Sequence, residues 1–417
     1  MTKWTRSVLA MVLVAMAPSL GAQQPSTSGR DTSSRASESD SAAGHQQPVS
    51  RAWYERIRIR GYAQVRYNRL LETNRDLTCS QCDRSIGNNG GLFLRRGRLV
   101  LSGDASDRVS FYIQPDFATD AAGNQHYLQL RDAYFDLYLD QGKSHRLRLG
   151  LSKVPYGFEN LQSSSNRLPL DRAEGLNSGV PGERDFGVLY YWTPASARRL
   201  FRILSDSGYK GTGDYGVVGV GVINGQTANR SEANNSLHHV VRISYPFALP
   251  NGQYIELGGQ AMGGNFVLPS RTTGVTTLPE YDEQRVAVSV TWYAKPLGFV
   301  GEWNWGEGPE YDRTSNRVDT RNLRGGFVQS MYRLRSGTQV IQPFARAQYY
   351  RGGRKTDLDA RSHVVREYEG GIEWLPMSAF ELTAQYTISD RTISDGGLAD
   401  VNREKGRLLR LQAQFNY

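Results

Sequence analysis

"RIRIRGYAQVRY", Arg56 to Tyr67, sets a row of arginines directly behind a row of aliphatics. Ile57, Ile59, Ala63, Val65 and Tyr67 hold the odd positions; Arg56, Arg58, Arg60, Tyr62, Gln64 and Arg66 hold the even ones. Successive side chains of a strand point to opposite faces, so the stretch reads as a strand with one apolar and one basic face. The same period of two recurs in "VSFYIQPDF" from Val109, "DAYFDLYL" from Asp132, "RVAVSVTW" from Arg285 and "FELTAQYTI" from Phe380.

Strands of this kind either meet face to face in a sandwich or close into a barrel whose apolar face meets lipid. Strand lengths of about nine to twelve residues suit a tilted membrane strand. Tyrosines recur near strand ends, as in interface girdles. The last residues, "RLLRLQAQFNY", alternate Leu409, Leu411, Ala413, Phe415 and Tyr417 on one face. A terminal strand ending in an aromatic is similar to the assembly signal of bacterial outer-membrane barrels, which places Phe415 and Tyr417 before the barrel-assembly machinery.

Sixteen strands are expected, near 56–67, 92–102, 108–117, 128–139, 145–151, 184–192, 215–223, 238–245, 253–262, 284–293, 297–305, 323–333, 339–350, 366–374, 379–388 and 407–417. An even number is what a closed bacterial barrel requires. Short links such as "DASDR", "DQGKS", "AKP" and "RSGT" alternate with long ones. The exception is 193–214, too long for a turn, where "RLFRIL" is read as extending a neighbouring strand. The expected fold class is therefore an all-β transmembrane antiparallel barrel of about sixteen strands in the bacterial outer membrane.

Around this barrel the chain divides simply. Residues 1–22 read as a signal peptide, with Lys3 and Arg6 before an apolar run. Residues 23–50 are a polar linker too poor in apolar residues to bury a core. Residues 51–417 form the barrel domain. Cys79 and Cys82, the only cysteines, stand as "CSQC" with no second pair. In an exported chain this spacing suits a small loop-closing disulfide better than a metal site.

If the aliphatics of the opening stretch face lipid, its arginines face water. A lipid-facing Arg costs roughly 2–4 kcal/mol at the membrane midplane, so four on one strand are excluded. Arg56, Arg58, Arg60, Arg66, Arg96, Arg98, Arg146 and Arg148 are the expected anion lane in the lumen. Arg108 on the third strand, and later Arg242, Arg285, Arg346 and Arg410, follow by parity. So do the inward acids Asp132, Asp136, Glu256, Glu302, Glu367, Glu369, Glu373 and Glu381. The formal charge is +9, and only seven of the 50 basic residues are lysine. Arginine's fixed fork of donors suits phosphate and carboxylate. Either one wall of the lumen is positive and guides anions, or each base pairs with an acid and the lumen is neutral.

The link 152–183 is the longest external connection, and the third. Something must narrow so wide a barrel, and this loop is expected to fold inward, with Lys153, Arg167, Asp171 and Arg172 as constriction residues. Within "LGLSKVPYGFENLQSSSNRLPLDRAEG" stand Gly150, Lys153, Pro155, Tyr156, Gly157 and Glu159, then Ser163 to Ser165, then Asp171–Arg172. "RDFGVLYYW" (Arg184, Asp185, Gly187) and "VINGQTANRSEANN" (Asn224, Gly225) follow; "LRRGRLVLSGD" and "LRDAYFDLYL" precede. In this order the motifs resemble the phosphate-selective porin O/P family over roughly 55–417. The resemblance implies a sixteen-stranded outer-membrane porin, usually a homotrimer, passing small anions such as phosphate or polyphosphate. Phosphate-specific members line the constriction with arginines and a lysine cluster; here Lys153 is the only lysine near that place.

No nucleophile elbow or zinc-protease motif is present, and His238–His239 sit on a strand where neighbours point to opposite faces. The chain is read as no enzyme, with no cofactor, no metal and no nucleic-acid partner; its surroundings are outer-membrane lipid. The alternative is a general or sugar-type porin, since Tyr62, Tyr112, Tyr134 and Tyr138 also face inward.

Overall fold

Alternation in sequence becomes alternation in exposure. The computed structural model describes residues 53–71, 77, 91–118 and 127–417. The expected signal peptide, the linker and the Cys79–Cys82 pair lie outside the described residues. On β1 (Arg58–Leu70) Arg66 is 0% exposed and its neighbour Val65 46%. The strands that follow are β2 (Gly91–Asp104), β3 (Val109–Ala118), β4 (Tyr127–Tyr138), β5 (His145–Lys153) and β6 (Arg184–Trp192). Next come β7 (Val218–Ile223), β8 (His238–Ala248), β9 (Tyr254–Phe266), β10 (Tyr281–Trp292), β11 (Leu297–Asp312) and β12 (Arg317–Tyr332). Then come β13 (Leu334–Ser336), β14 (Gln339–Gly353), β15 (Ser362–Met377), β16 (Phe380–Ser394) and β17 (Asn402–Asn416).

All pairings in the sheet are antiparallel between neighbours, and β17 returns to β1, with Ala63 opposite Phe415 and Tyr67 opposite Leu411. The short β13 prolongs β12, and both pair with β14, so the segments make sixteen staves. Closure leaves no sheet edge, which is why such a sheet tolerates a lipid surround. Phe299, Trp303, Val328, Tyr332, Ile372 and Leu411 are exposed on the outer wall. Val288 stands among them on β10. Val288→Arg is therefore expected to destabilise the folded barrel by about 2–4 kcal/mol, read as a lower urea midpoint in lipid vesicles.

Among the described residues the register slips at three places, one of them at the end of β15 between Trp374 and Met377. The other two lie between Gln64 and Val65 against β2, and between Gln114 and Pro115 against β4. The last leaves Arg131 as the extra residue between Asp132 and Leu130, and re-aiming a side chain is what a bulge does. Arg131 is turned toward Glu183, with Nη2 3.1 Å from Oε2.

The link 193–217 corrects an expectation. "RLFRIL" does not extend a strand; it lies in helix α3 (Ala195–Asp206). Ala197, Phe201 and Leu204 repeat at helical spacing and are buried, and Ala197 and Phe201 pack with Trp192, Val217, Val218 and Tyr245. A period of 3.6 therefore fits these residues, and a period of two does not. After α3 the chain runs across the barrel mouth. Lys210 Nζ reaches Glu373 on β15 at 2.7 Å, and Arg333 Nη2 donates to Ser207 O at 2.8 Å.

The link 154–183 is buried along nearly all its length and carries two short helices, α1 (Phe158–Leu161) and α2 (Glu174–Asn177). Val154, Tyr156, Phe158, Leu168, Leu176 and Val180 form one apolar cluster with Leu189, Val240, Met262, Val300, Phe327 and Phe344 from β6, β8, β9, β11, β12 and β14. The hydrophobic core thus sits inside the barrel, between this segment and one part of the wall. Gly157 takes φ +87, a left-handed value open to glycine, as the segment enters its first helix.

Candidate functional site

The strands β1 to β6 carry a cluster of basic side chains. Lys153 stands directly opposite Arg184 toward the long-loop end, Arg148 opposite Asp136 lower down, and Arg146 opposite Tyr138 near the short turns, while Arg60 is exposed toward the same end of β1. The expected lane residues divide. Arg66, Arg96, Arg98 and Arg148 are buried within the barrel, and Arg146 is half-buried. Arg56 is corrected: it closes a 3-10 turn, Trp53–Arg56, before β1 and pairs with exposed Asp107 at 3.5 Å. Arg58 is exposed at the first residue of β1, and Arg108 is exposed in the turn before β3. All three fall beyond the ends of the paired staves or at them, where parity no longer decides direction. All eight inward acids expected from parity are buried.

Pairing is extensive but unequal. Arg98 Nε lies 2.8 Å from Asp116 and Arg184 Nη2 2.9 Å from Asp132. Asp136 serves both Arg148, at 2.8 Å, and Arg146, at 3.8 Å. Asp171 serves Arg66, at 3.4 Å, and Arg410. Glu183 serves Arg131 at 3.1 Å, Arg184 at 2.6 Å, and Arg172. On this side one acid holds several bases. Across the lumen two bases each hold two acids. Arg346 holds Glu159, at 2.6 Å, and Glu369. Arg391 holds Glu367 at 2.8 Å and Glu174 at 3.5 Å. The far side also has acids that hold more than one base: Glu283 on β10 serves Arg285 at 2.8 Å and Lys355, and Glu174 serves both Arg354 at 2.9 Å and Arg391.

Among the described residues Arg96 and Lys153 have no carboxylate within ion-pair distance. Arg96 Nη1 donates to Gln64 Oε1 at 3.0 Å, and its charged neighbours are Arg95, Arg98 and Arg66. Lys153 ends β5 instead of belonging to the loop, and its Nζ donates to Leu161 O and Gln162 O, each at 2.7 Å. Arg167 bonds only backbone oxygens, Pro169 O and Leu170 O, each at 3.0 Å. Burial, with Arg172 beside it, pulls the Arg167 guanidinium below its ordinary value. Cations held at such a cost are places where an anion is welcome.

A cavity of about 580 Å³ lies under the inner segment, lined by Arg60, Arg98, Arg148, Lys153 and Arg184 on the wall and by Gly211 to Tyr215 below. Tyr112 and Tyr134 stack in it with centroids 5.2 Å apart, and the Arg148 guanidinium lies 3.8 Å over the Tyr134 ring.

The motif residues have structural work. Glu159 accepts from Ala173 N at 2.7 Å and from Arg346, tying the two short helices together and to β14. Tyr156 donates to Asn304 Oδ1 at 2.8 Å. Asp185 accepts from Gly225 N at 2.7 Å, which draws the Asn224–Gly225 turn onto β6. Gly225 has φ +84, and a Cβ there would lie 1.7 Å from His238 Nδ1. Phe415 and Tyr417 are exposed, with rings 6.0 Å apart; Gly61 N donates to Tyr417 O at 2.8 Å.

Glu302, Lys210, Arg131 and Glu183 play parts that the sequence reading did not assign. Glu302 was expected only to face inward. It accepts from Phe158 N at 2.5 Å and Glu159 N at 3.0 Å, so β11 holds the first short helix by its leading amides.

Two carboxyls fasten the inner segment. Burial alone would raise Asp171, but Arg66 and Arg410 outweigh it and hold the group far below the usual carboxylate range. Glu183 is depressed likewise, against its burial, by Arg172, Arg131 and Arg184. A depressed carboxyl contributes stability that is complete above the unfolded value, ~3.9 for Asp and ~4.3 for Glu, and is lost as pH falls through the folded one. Single-channel current noise is therefore expected to be constant from pH 7 to about 4 and to rise only below that range.

A closed sixteen-stave barrel with an apolar outer face, a packed inner segment and a charged lumen defines an outer-membrane porin. The chain belongs to the phosphate-selective porin O and P family, whose model matches residues 72–417. No curated protein matches the sequence. Among solved structures it is similar to the outer-membrane channel DcaP of Acinetobacter baumannii, with a TM-score of 0.54 at 12% identity over 87% of this chain and 97% of that one. OmpF of Salmonella typhi, solved with daunomycin, gives 0.52 at 12% identity over 87% and 97%. The anion-selective porin of Comamonas acidovorans gives 0.50 at 10% identity over 87% and 99%. At such identities the likeness is one of fold.

Proposed function

We propose that this chain is a non-catalytic channel through which small anions, phosphate and polyphosphate among them, diffuse along the basic wall of β1 to β6. The observation that carries this reading is the unequal pairing: Glu183, Asp171 and Asp136 each hold more than one base, while Arg96 and Lys153 hold no carboxylate. In a narrow tube with low-dielectric walls such an excess concentrates anions. Membership of a phosphate-selective family and the likeness to an anion-selective porin support it. The reading includes a homotrimer in outer-membrane lipid, delivered by the barrel-assembly machinery through Phe415 and Tyr417.

The test is a planar bilayer with refolded protein under a KCl gradient, followed by phosphate and pyrophosphate. Anion selectivity with phosphate blocking chloride current is the expected result. Replacing these two cations, R96Q with K153Q, is expected to weaken that block at least tenfold, since even one hydrogen bond to a charged group contributes about 1.5–3 kcal/mol. A cation-selective or unselective channel overturns the reading. The stacked tyrosines favour the second reading, a sugar-type porin; it predicts block by an uncharged oligosaccharide and none by phosphate.

A further inference from the structure

The geometry points to a binding site for lipid phosphate groups on the outside of the barrel, built by Arg324, Arg351 and Arg366. These three are exposed on β12, β14 and β15. The alternation turns them outward: Leu323, Tyr350, Val365 and Glu367 beside them are buried. Arg324 stands directly opposite Arg351 in the ladder. Arg366 stands opposite Tyr349, two residues from Arg351 on the same face. Like charges set directly opposite one another are destabilising. Among the described residues no carboxylate comes within ion-pair distance of any of the three.

Their height fits the same reading. From Tyr332 at the short-turn end, β12 climbs through Ser330, Val328 and Gly326 to Arg324. Eight residues at ~3.4 Å each with a ~40° tilt rise roughly 20 Å, near the top of an apolar belt about 25 Å tall. Aromatic side chains lie on the same outer face: Trp303 and Tyr349 stack, 6.2 Å apart at 6°, and Arg366 sits 5.9 Å over the Tyr349 ring. A cavity of about 620 Å³ opens beside them, bounded by Arg321, Asn322, Arg324 and Arg351, with Glu307 and Glu310 also in its wall. Arg321 is engaged by Asp312 at 2.7 Å, and Glu310 by Ser362 at 2.6 Å. With Arg324, Arg351 and Arg366 set against Glu307 and Glu310, the bases outnumber the acids at the site. An unpaired cation at the lipid boundary is stabilised by an anion anchored there, and a phosphate on an outer-leaflet headgroup is such an anion. Its oxygens accept the guanidinium fork, while its acyl chains run down the aromatic belt.

The experiment titrates refolded full-length protein in detergent with a bisphosphorylated lipid, with the same lipid after removal of its phosphates, and with inorganic phosphate as competitor. The triple variant R324Q/R351Q/R366Q is expected to bind the phosphorylated lipid at least tenfold more weakly and to bind the dephosphorylated lipid as wild type does. Single-channel conductance, set by the lumen, is expected to be unchanged, which shows that the variant has folded. If the triple variant does not insert, R351Q alone carries the same comparison, with a smaller loss expected. Equal binding by variant and wild type, equal binding of the two lipids, or complete displacement by inorganic phosphate at matched phosphate concentration each overturn the inference.

Discussion

Asp171→Asn is expected to loosen the inner segment and to make the channel more anion-selective at once. Asp171 is the meeting point of Arg66 from β1 and Arg410 from β17, and all three side chains are nearly inaccessible. Removing one partner of a buried pair costs about 3–5 kcal/mol, because the partner is left charged and unsolvated. Here two partners are left. Arg66 retains Leu170 O at 3.2 Å and Gln412 Oε1 at 2.7 Å, so the barrel wall itself should survive. The segment around 167–172 loses its ion pair to the wall while the lumen gains a unit of positive charge. The expected record is a noisier open current and a reversal potential further toward that of chloride. A loss of about 3 kcal/mol raises the detached population roughly 100-fold. The double variant D171N/R410Q removes one of the stranded guanidiniums, and a double-mutant cycle should recover part of the loss. Unchanged noise and selectivity in D171N would sink the idea that Asp171 fastens the segment.

Much of the barrel was legible because a lipid surround enforces parity. Ile59 and Val65 against Arg66, or Tyr368 against Glu367 and Glu369, admit one assignment of faces, since an inverted strand would bury arginines in hydrocarbon. Parity also placed the inward acids. It failed where the pleat was broken or had ended. The bulge at Gln114–Pro115 turned Arg131 toward Glu183, and Arg56, Arg58 and Arg108 lie at or beyond the strand ends.

The inner core was less legible for a different reason. Leu189, Val240, Met262, Val300, Phe327 and Phe344 face inward, so their strands carry apolar residues on both faces. In a membrane barrel that pattern means something apolar must cover the inside, and Phe158, Leu168 and Leu176 supply the cover. The unequal pairing was beyond sequence altogether, because it depends on which strands approach one another across the lumen. Arg346 with Glu159 and Arg410 with Asp171 are separated by 187 and 239 residues.

The segment that follows α3 leads to the second large effect. Lys210→Ala is expected to open the short-turn mouth of the barrel. The strap from Ser207 to Gly216 leaves the wall between β6 and β7, yet Lys210 ends on Glu373 of β15, far around the ring, with both side chains almost inaccessible. Arg333, past the end of β12, holds the strap again through Ser207 O and lies 4.9 Å over the Tyr209 ring. The inner segment rests on it, with Asn166 Nδ2 donating to Gly211 O at 3.1 Å. The strap is therefore the floor of the tyrosine-lined cavity, and the Lys210–Glu373 ion pair ties its middle to the far wall. Truncating Lys210 strands Glu373, which has Gln342 at 2.9 Å as its remaining donor. At about 3–5 kcal/mol for such a break, detached states should become at least ~100-fold more frequent. A higher unitary conductance, or frequent steps to one, is the expected record. E373Q should show the same direction with a milder effect, since its amide keeps a hydrogen-bonding contact to Gln342. The two variants combined should give no more than K210A alone, because they break one bond. Additive effects would mean that Glu373 acts on the ions directly and not by holding the strap.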